Sequence, residues 1–182
     1  MRHPFYPDEY ADGVFCLDYE KLYALGYRGL IFDIDNTLVP HGAPATPEVE
    51  ALFAGLKELG FRTLVLSDNS EARVTSFLQN IDALYINSAK KPRPGAFLRA
   101  VKLLGLPKRK IVCIGDQVFT DILGANLSGL DSILVKYIGY DLPGDKGKRR
   151  AAEEKILKGY KKSKRFNRLQ VSGESHDEIR KI

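Results

Sequence analysis

The sequence contains few cysteines. Its two, Cys16 and Cys113, do not have the spacing of a metal-binding pair. Cys113 lies in the apolar run 111–114, where a small buried thiol is expected. We therefore expect no structural zinc site.

Long apolar runs are also absent. No window approaches the ~18 residues that a membrane-spanning helix needs, and the first eight residues contain no signal-peptide core. We therefore expect a cytoplasmic protein. A chain of 182 residues, 44% hydrophobic and 28% charged, is typical of one globular domain with a possible appendage.

Positive charge is scarce in the first part of the chain and concentrated at its end. Residues 1–140 contain 15 Lys and Arg against 16 Asp and Glu, whereas residues 141–182 contain 13 against 7. We predict a body over 1–140 and a basic tail over 141–182 that is partly helical or disordered. A helix is expected from Arg150 to about Lys162, followed by disorder. Any attraction to an acidic partner would concern this tail.

Short β-branched runs alternate with longer amphipathic runs from residue 28 to about 138. The predicted strands are 29–33, 62–66, 84–86, 110–114 and 132–136. The predicted helices are 46–60, 70–78, 94–105 and about 120–128. This alternation predicts an α/β fold, a three-layer sandwich around a central parallel sheet. Its site should lie at the carboxyl ends of the strands.

The first 27 residues hold seven of the 18 aromatic side chains. This density predicts an N-terminal arm, residues 1–27, that packs as an arm or short helix against the sheet. The alternative is a tyrosine-rich edge that rests on a lipid interface or a partner.

The apolar run 30–38 ends in two carboxylates, Asp33 and Asp35, two positions apart. When such a pair is buried, it needs a cation between the charges or a proton on one of them, because a desolvated carboxylate is costly. The alternative is a strand that ends in a solvated Asp-Asn turn.

Polar residues follow three further predicted strands. They are Ser67, Asp68 and Asn69 after the second strand, Lys90 and Lys91 after the third, and Asp116 and Asp121 after the fourth. Taken singly, each has an ordinary role as a helix cap, a turn residue or a solvated charge. Because loops at the carboxyl edge of a parallel sheet converge, together they offer oxygen ligands for a divalent cation and donors for a phosphate.

Four segments resemble the ordered motifs of the haloacid dehalogenase (HAD) superfamily of phosphohydrolases. They are Asp33 to Leu38, Ser67, Lys91-Pro92, and Gly115 to Asp121. The resemblance spans residues 29 to about 138. Within the superfamily, the Asp-Asn-Thr-Leu wording, the Lys-Pro pair and the short length resemble the YqeG family of subfamily IIIA, which includes phosphatidylglycerophosphate phosphatases.

The resemblance implies a role for each catalytic position. Asp33 would be the nucleophile and form an aspartyl-phosphate, and Asp35 would be the general acid and then the general base. Ser67 would hydrogen-bond a phosphoryl oxygen. Lys91, which directly precedes a proline, is preferred to Lys90 for neutralising charge on the transferring group.

The resemblance also implies Mg²⁺ as the cofactor. Asp33, Asp116 and the main-chain carbonyl of Asp35 would hold the ion, with Asp121 as a further ligand or an orienting group. Two other side chains, Thr37 and Asn69, are expected to donate to the phosphorylated substrate.

The distances between the motifs leave no room for an inserted cap domain. A site without a cap favours a bulky or surface-bound substrate such as an anionic lipid headgroup, unless oligomerisation supplies a lid. The basic tail fits peripheral contact with the inner membrane face, fits nucleic acid nearly as well, and could equally be a solvated extension. Zinc-loop relatives are not expected, because their Cys/His cluster is absent.

We therefore predict a phosphatase of phosphatidylglycerophosphate in phospholipid synthesis. The first alternative is a HAD phosphatase that acts on a nucleotide, a polynucleotide end or a sugar phosphate. The second is an RNA- or ribosome-binding protein that uses the basic tail.

Overall fold

The computed structural model describes residues 3–139 and 147–172, apart from the side chains of residues 147 and 148. A six-stranded sheet lies at its centre, and all paired strands are parallel. The strands are β1 Glu9–Ala11, β2 Gly29–Phe32, β3 Arg62–Leu66, β4 Leu84–Ile86, β5 Ile111–Gly115 and β6 Asp131–Val135. Their order across the sheet is β1-β6-β5-β2-β3-β4.

Helices connect successive strands, and a final helix follows β6. They are α1 Tyr19–Ala24, α2 Pro47–Glu58, α3 Glu71–Phe77, α4 Pro94–Leu104, α5 Leu123–Leu127 and α6 Gly147–Lys161. The predicted caps form: the Thr46 side chain accepts a hydrogen bond from Val49 N at the start of α2. At the end of α4, Gly105 adopts a left-handed conformation with φ +63°.

Helices cover both faces of the sheet. Leu30 and Phe32 of β2 pack in a core with side chains of α1, α2 and α3, whereas Ile31 packs with α4 and α5. On that second side, α6 packs against Leu134 of β6. Because neighbouring residues of a strand face opposite layers, this arrangement confirms the predicted three-layer α/β sandwich.

No cap domain interrupts the fold between residues 33 and 91. This segment contains α2, β3, α3, β4 and their connecting loops, as the motif distances predict. Within residues 3–139 and 147–172, no helix combines the length and the apolar composition that crossing a bilayer requires.

The edge strand β1 is an element that the sequence does not predict in the N-terminal arm, where a short helix, α1, also forms. The first residue of β1, Glu9, and the residue before it, Asp8, are both acidic and fully buried. Arg165 and Arg168 pair with the Asp8 carboxylate, and the backbone N–H of Ser172 donates to Glu9. The charges are tolerated because these partners, about 160 residues away, satisfy them.

The predicted disorder after about Lys162 is wrong for residues 163–172. The Asn167 side chain accepts from Tyr10 N (2.9 Å) and donates to Tyr10 O (3.3 Å), and Val171 is fully buried. These contacts cover the exposed edge of β1. The parts of the tail at 141–146 and 173–182 lie outside the described residues, and the division into body and tail stays a prediction.

Candidate active site

The predicted site residues meet at the carboxyl edge of the sheet. Asp33 directly follows β2, and Asp116 directly follows β5. Because Phe32 pairs with Ile114 and Asp33 N donates to Ile114 O at 3.0 Å, the ladder continues to the edge. The two aspartates are therefore neighbours.

Asp33, Asp116 and Asp121 form an acidic cluster. Each offers one carboxylate oxygen, and the three atoms lie within 4.8 Å of one another. Asp116 and Asp121 are buried, and Asp33 is half-buried. Carboxylate oxygens at this spacing suit a hard divalent cation such as Mg²⁺, so the donor set fits the expected metal.

A tight approach between Asp121 and Gly115 positions the third carboxylate. Asp121 lies in a π-helical turn, Val118–Ile122, where a plain helix start is predicted, and its Oδ2 accepts from Gln117 N at 3.0 Å. A Cβ atom on Gly115 would lie 2.4 Å from Asp121 Cγ. The position therefore requires glycine.

Gly115→Ala should displace the Asp121 carboxylate and weaken Mg²⁺ binding by roughly 10–100-fold, the range found when groups that orient a metal ligand are altered. Isothermal titration with Mg²⁺ measures the effect. Gly55→Ala in α2 is the matched control, since its added Cβ meets nothing within 4 Å. Equal Mg²⁺ affinity in the two variants would contradict this account of Gly115.

Lys91 reaches into the acidic cluster. Its Nζ lies 2.8 Å from Asp33 Oδ1 and 2.7 Å from Asp121 Oδ1, and its side chain is 4% exposed. The backbone N–H of Lys91 donates to Asp68 Oδ1 at 2.9 Å, which fixes the loop. Lys90 is exposed, so the structure places at the cluster the lysine that the sequence prefers.

The acidic cluster contains three carboxylates, and the Lys91 ammonium is a positive charge that lies among them. Burial raises the pKa of the Asp33 carboxyl above its usual range, with Lys91 opposing and Asp121 adding to the rise. Burial and the Asp121 charge likewise raise the pKa of Asp116. Burial works against the Lys91 ammonium, but the two carboxylates outweigh it and raise its pKa. Carboxylates that resist ionisation in this way gain from a bound cation.

The Asp35 side chain lies outside the acidic cluster and is surrounded by hydrogen-bond donors. Its carboxylate accepts from Asn69 Nδ2 (2.6 Å), Gly42 N (3.0 Å) and Arg73 Nη2 (3.2 Å). Partial burial favours the protonated form, yet these hydrogen bonds and the Arg73 charge hold the pKa of Asp35 below its usual range. The carboxyl group is therefore ionised at neutral pH.

The remaining predicted residues also lie at this edge. Ser67 is buried after β3, and its Oγ accepts from Asn69 N at 3.2 Å. Thr37 Oγ1 donates to Asp116 Oδ1 at 3.2 Å, as Asn69 donates to Asp35. Thr37 and Asn69 thus support site carboxylates, and their contact with substrate stays a prediction.

Two arginines at the site are not predicted from the sequence. Arg73, in α3, donates to Asp35, and its position one turn after the cap residue Ser70 is a signal that could have indicated it. Arg150 of α6 donates to Asp116 from the basic tail. No motif marks it, because its neighbours in sequence are ordinary surface charges.

Comparisons with known proteins identify the family. The family model for haloacid dehalogenase-like hydrolases matches residues 41–129. The "Probable phosphatase YqeG" of Bacillus subtilis is 40% identical over 136 residues, which cover 74% of this chain and 79% of that protein.

Two further matches are more distant. The chloroplastic phosphatidylglycerophosphate phosphatase 1 of Chlamydomonas reinhardtii is 26% identical over 66% of this chain, which spans only 48% of that protein. A crystal structure of an uncharacterized Listeria monocytogenes protein matches with a TM-score of 0.50 and 20% identity over 71% of this chain and 97% of that one. This structural likeness concerns the fold alone. Since the chain matches the family model and is 40% identical to the Bacillus protein, it belongs to the haloacid dehalogenase-like hydrolases and is a phosphatase.

Proposed function

We propose that this phosphatase is a Mg²⁺-dependent phosphomonoesterase with Asp33 as its nucleophile and phosphatidylglycerophosphate as its substrate. The observation that carries the chemistry is the position of Lys91 Nζ, 2.8 Å from Asp33 and 2.7 Å from Asp121. An ammonium and a carboxylate cluster at one point can receive a phosphoryl group and offset its charge.

Asp33 carries out the first step. A carboxylate oxygen attacks phosphorus in line, the bond from phosphorus to the ester oxygen breaks, and an aspartyl-phosphate forms. The Lys91 ammonium stays beside the transferring phosphoryl oxygens, and Ser67 donates to one of them. Mg²⁺ held by Asp33, Asp116 and Asp121, with the main-chain carbonyl of Asp35, would supply further positive charge there.

Asp35 transfers a proton in each of the two steps. It gives a proton to the leaving oxygen, and then takes one from the water that attacks the aspartyl-phosphate and releases inorganic phosphate. The second half of this cycle needs the ionised carboxylate, which the lowered pKa of Asp35 provides. For the first half, the approaching phosphate dianion raises the pKa, because a like charge disfavours the carboxylate.

Asp35→Asn should therefore impair substrates according to their leaving groups. We expect a loss of roughly 10²–10⁴-fold for an alkyl phosphate, whose alkoxide needs a proton, and a smaller loss for p-nitrophenyl phosphate, whose leaving group does not. Steady-state kcat/KM on the two substrates, which reports on the steps up to formation of the aspartyl-phosphate, measures the ratio. Equal losses on the two substrates would contradict the general-acid role of Asp35.

The substrate assignment depends on the surroundings of the site. Without an inserted cap, the carboxyl edge can meet a phosphate that remains part of a larger surface. Three lysines, Lys155, Lys158 and Lys162, are exposed at helical spacing along and just beyond α6, and we call them the basic face. Anionic lipid attracts such charges. The similarity to a phosphatidylglycerophosphate phosphatase adds support.

Phosphate release tests the assignment. Phosphatidylglycerophosphate in vesicles, soluble nucleotides, RNA ends and sugar phosphates are compared with and without Mg²⁺. We expect Mg²⁺-dependent release that is fastest on the lipid. Faster release from a soluble phosphate would reject the lipid and favour the alternative substrates. Salt-sensitive RNA binding without any turnover would favour the RNA-binding role.

Replacing the three lysines of the basic face by Gln should weaken activity on anionic vesicles by roughly 100-fold, at about 1 kcal/mol per lysine, because the attraction to lipid is lost. Activity on p-nitrophenyl phosphate should not change. The control removes three exposed charges outside α6, at Lys102, Lys108 and Arg109. Equal losses in both triple variants would show that the basic face has no special role.

A further inference from the structure

The C-terminal helix α6 touches the acidic cluster directly. Arg150 Nη2 donates to Asp116 Oδ2 at 2.5 Å, and its Nη1 donates to the Asp116 carbonyl at 2.9 Å. The Asp116 side chain is completely buried, and the Arg150 side chain is 19% exposed. One arginine therefore holds both the side chain and the main chain of a residue placed to bind metal.

A second residue of α6 holds the same loop. Glu153 Oε1 accepts from Val118 N at 3.0 Å, and its Oε2 accepts from Arg150 Nη1 at 2.9 Å. The Arg150 guanidinium also lies over the Tyr137 ring, 4.2 Å from its centroid. Arg150 and Glu153 thus bind both ends of the loop 116–118, and four contacts hold the guanidinium in place.

We propose that Arg150 is a positioning residue for the Asp116 carboxylate, so that α6 is a structural part of the metal centre. This inference rests on the proposed function. Thr37 donates to one Asp116 oxygen and Arg150 to the other. Partners of this kind orient a metal ligand and keep it ionised.

Positioning and simple charge predict opposite effects on metal binding. Arg150 is a cation near the metal site, so removing its charge alone should make Mg²⁺ bind more tightly. If Arg150 acts by holding Asp116 in place, removing it should make Mg²⁺ bind more weakly, by roughly 10–100-fold. The sign of the change therefore separates the two roles.

The experiment compares Arg150→Gln with Arg149→Gln in the full chain. Both variants remove one charge from α6, and Arg149 is exposed. Isothermal titration gives Mg²⁺ affinity, thermal unfolding in EDTA gives the stability of the metal-free protein, and kcat and the Mg²⁺ concentration for half-maximal activity are measured in parallel. We expect weaker Mg²⁺ binding in Arg150→Gln, wild-type binding in Arg149→Gln, and partial recovery in Arg150→Lys.

Each other outcome overturns the proposal. Unchanged or tighter Mg²⁺ binding in Arg150→Gln, with or without a loss of stability in EDTA, would assign Arg150 a role in stability or charge alone. If Arg150→Gln does not fold, Glu153→Gln replaces it, and wild-type Mg²⁺ affinity in that variant contradicts the positioning role of α6. If the wild type neither binds Mg²⁺ nor hydrolyses phosphates, the proposed function fails as well, which distinguishes the two failures.

Discussion

Asp33→Asn is expected to reduce phosphate release by roughly 10⁴-fold or more, the scale of loss when a catalytic nucleophile is removed. An amide cannot form the acyl-phosphate bond. The substitution keeps the size of the side chain and replaces a carboxylate that resists ionisation by a neutral group. We therefore expect the fold to be retained while the activity is lost.

The control for Asp33→Asn is Asp82→Asn. Asp82 is exposed and pairs with Lys57 at the surface, so its loss should change activity little. Circular dichroism and thermal unfolding monitor the fold of both variants. Phosphate release by Asp33→Asn at more than a few per cent of the wild-type rate would contradict the nucleophile assignment.

Lys91→Met is expected to lower both stability and activity, because it removes the ammonium that lies between the Asp33 and Asp121 carboxylates. Breaking a buried ion pair by deleting one partner costs about 3–5 kcal/mol. Unfolding in EDTA should therefore show a lower free energy of unfolding. Activity should also fall, by roughly 10²–10³-fold, since charge on the transferring phosphoryl group is no longer offset.

Lys90→Met provides a control at the adjacent position. Lys90 is exposed, so the variant loses the same charge without disturbing the carboxylates. We expect wild-type stability and activity. If Lys90→Met proves the more damaging of the two variants, the assignment of the site lysine is reversed.

Much of the site could be predicted because its residues directly follow the carboxyl ends of strands or lie in the loops that begin there. β2 and β5 are apolar runs that pair side by side, and each is followed at once by an aspartate. Once a parallel sheet is inferred, Asp33 and Asp116 must lie at one edge. The position of Lys91 follows in the same way from the end of β4.

The missed parts depend on partners that are distant in sequence. The acidic start of β1 does not have a strand pattern, and it pairs in the sheet because Arg165 and Arg168 compensate Asp8. Arg150 reaches Asp116 across 34 positions. Local patterns give no information about contacts of this kind, since each segment alone is a typical exposed charged stretch.

The placement of Asp35 was predicted only in part. Its location beyond the strand was expected as one alternative, but its environment was not. Asn69 and Arg73, from the loop and helix after β3, hold its carboxylate apart from the acidic cluster. Because of this separation, the pKa of Asp33 is raised and the pKa of Asp35 is lowered, although only one residue lies between them. The difference suits the two roles that we propose for them.

Trapping of the phosphorylated enzyme tests the central claim most directly. The Asp35→Asn variant is mixed with Mg²⁺ and p-nitrophenyl phosphate, whose leaving group needs no proton. The mixture is quenched in acid, digested, and examined by peptide mass spectrometry. We predict a phosphoryl group on Asp33, in an amount that decays as phosphate is released and that is absent from Asp33→Asn. Phosphate release with no label on Asp33, or a label on another residue, would contradict the account.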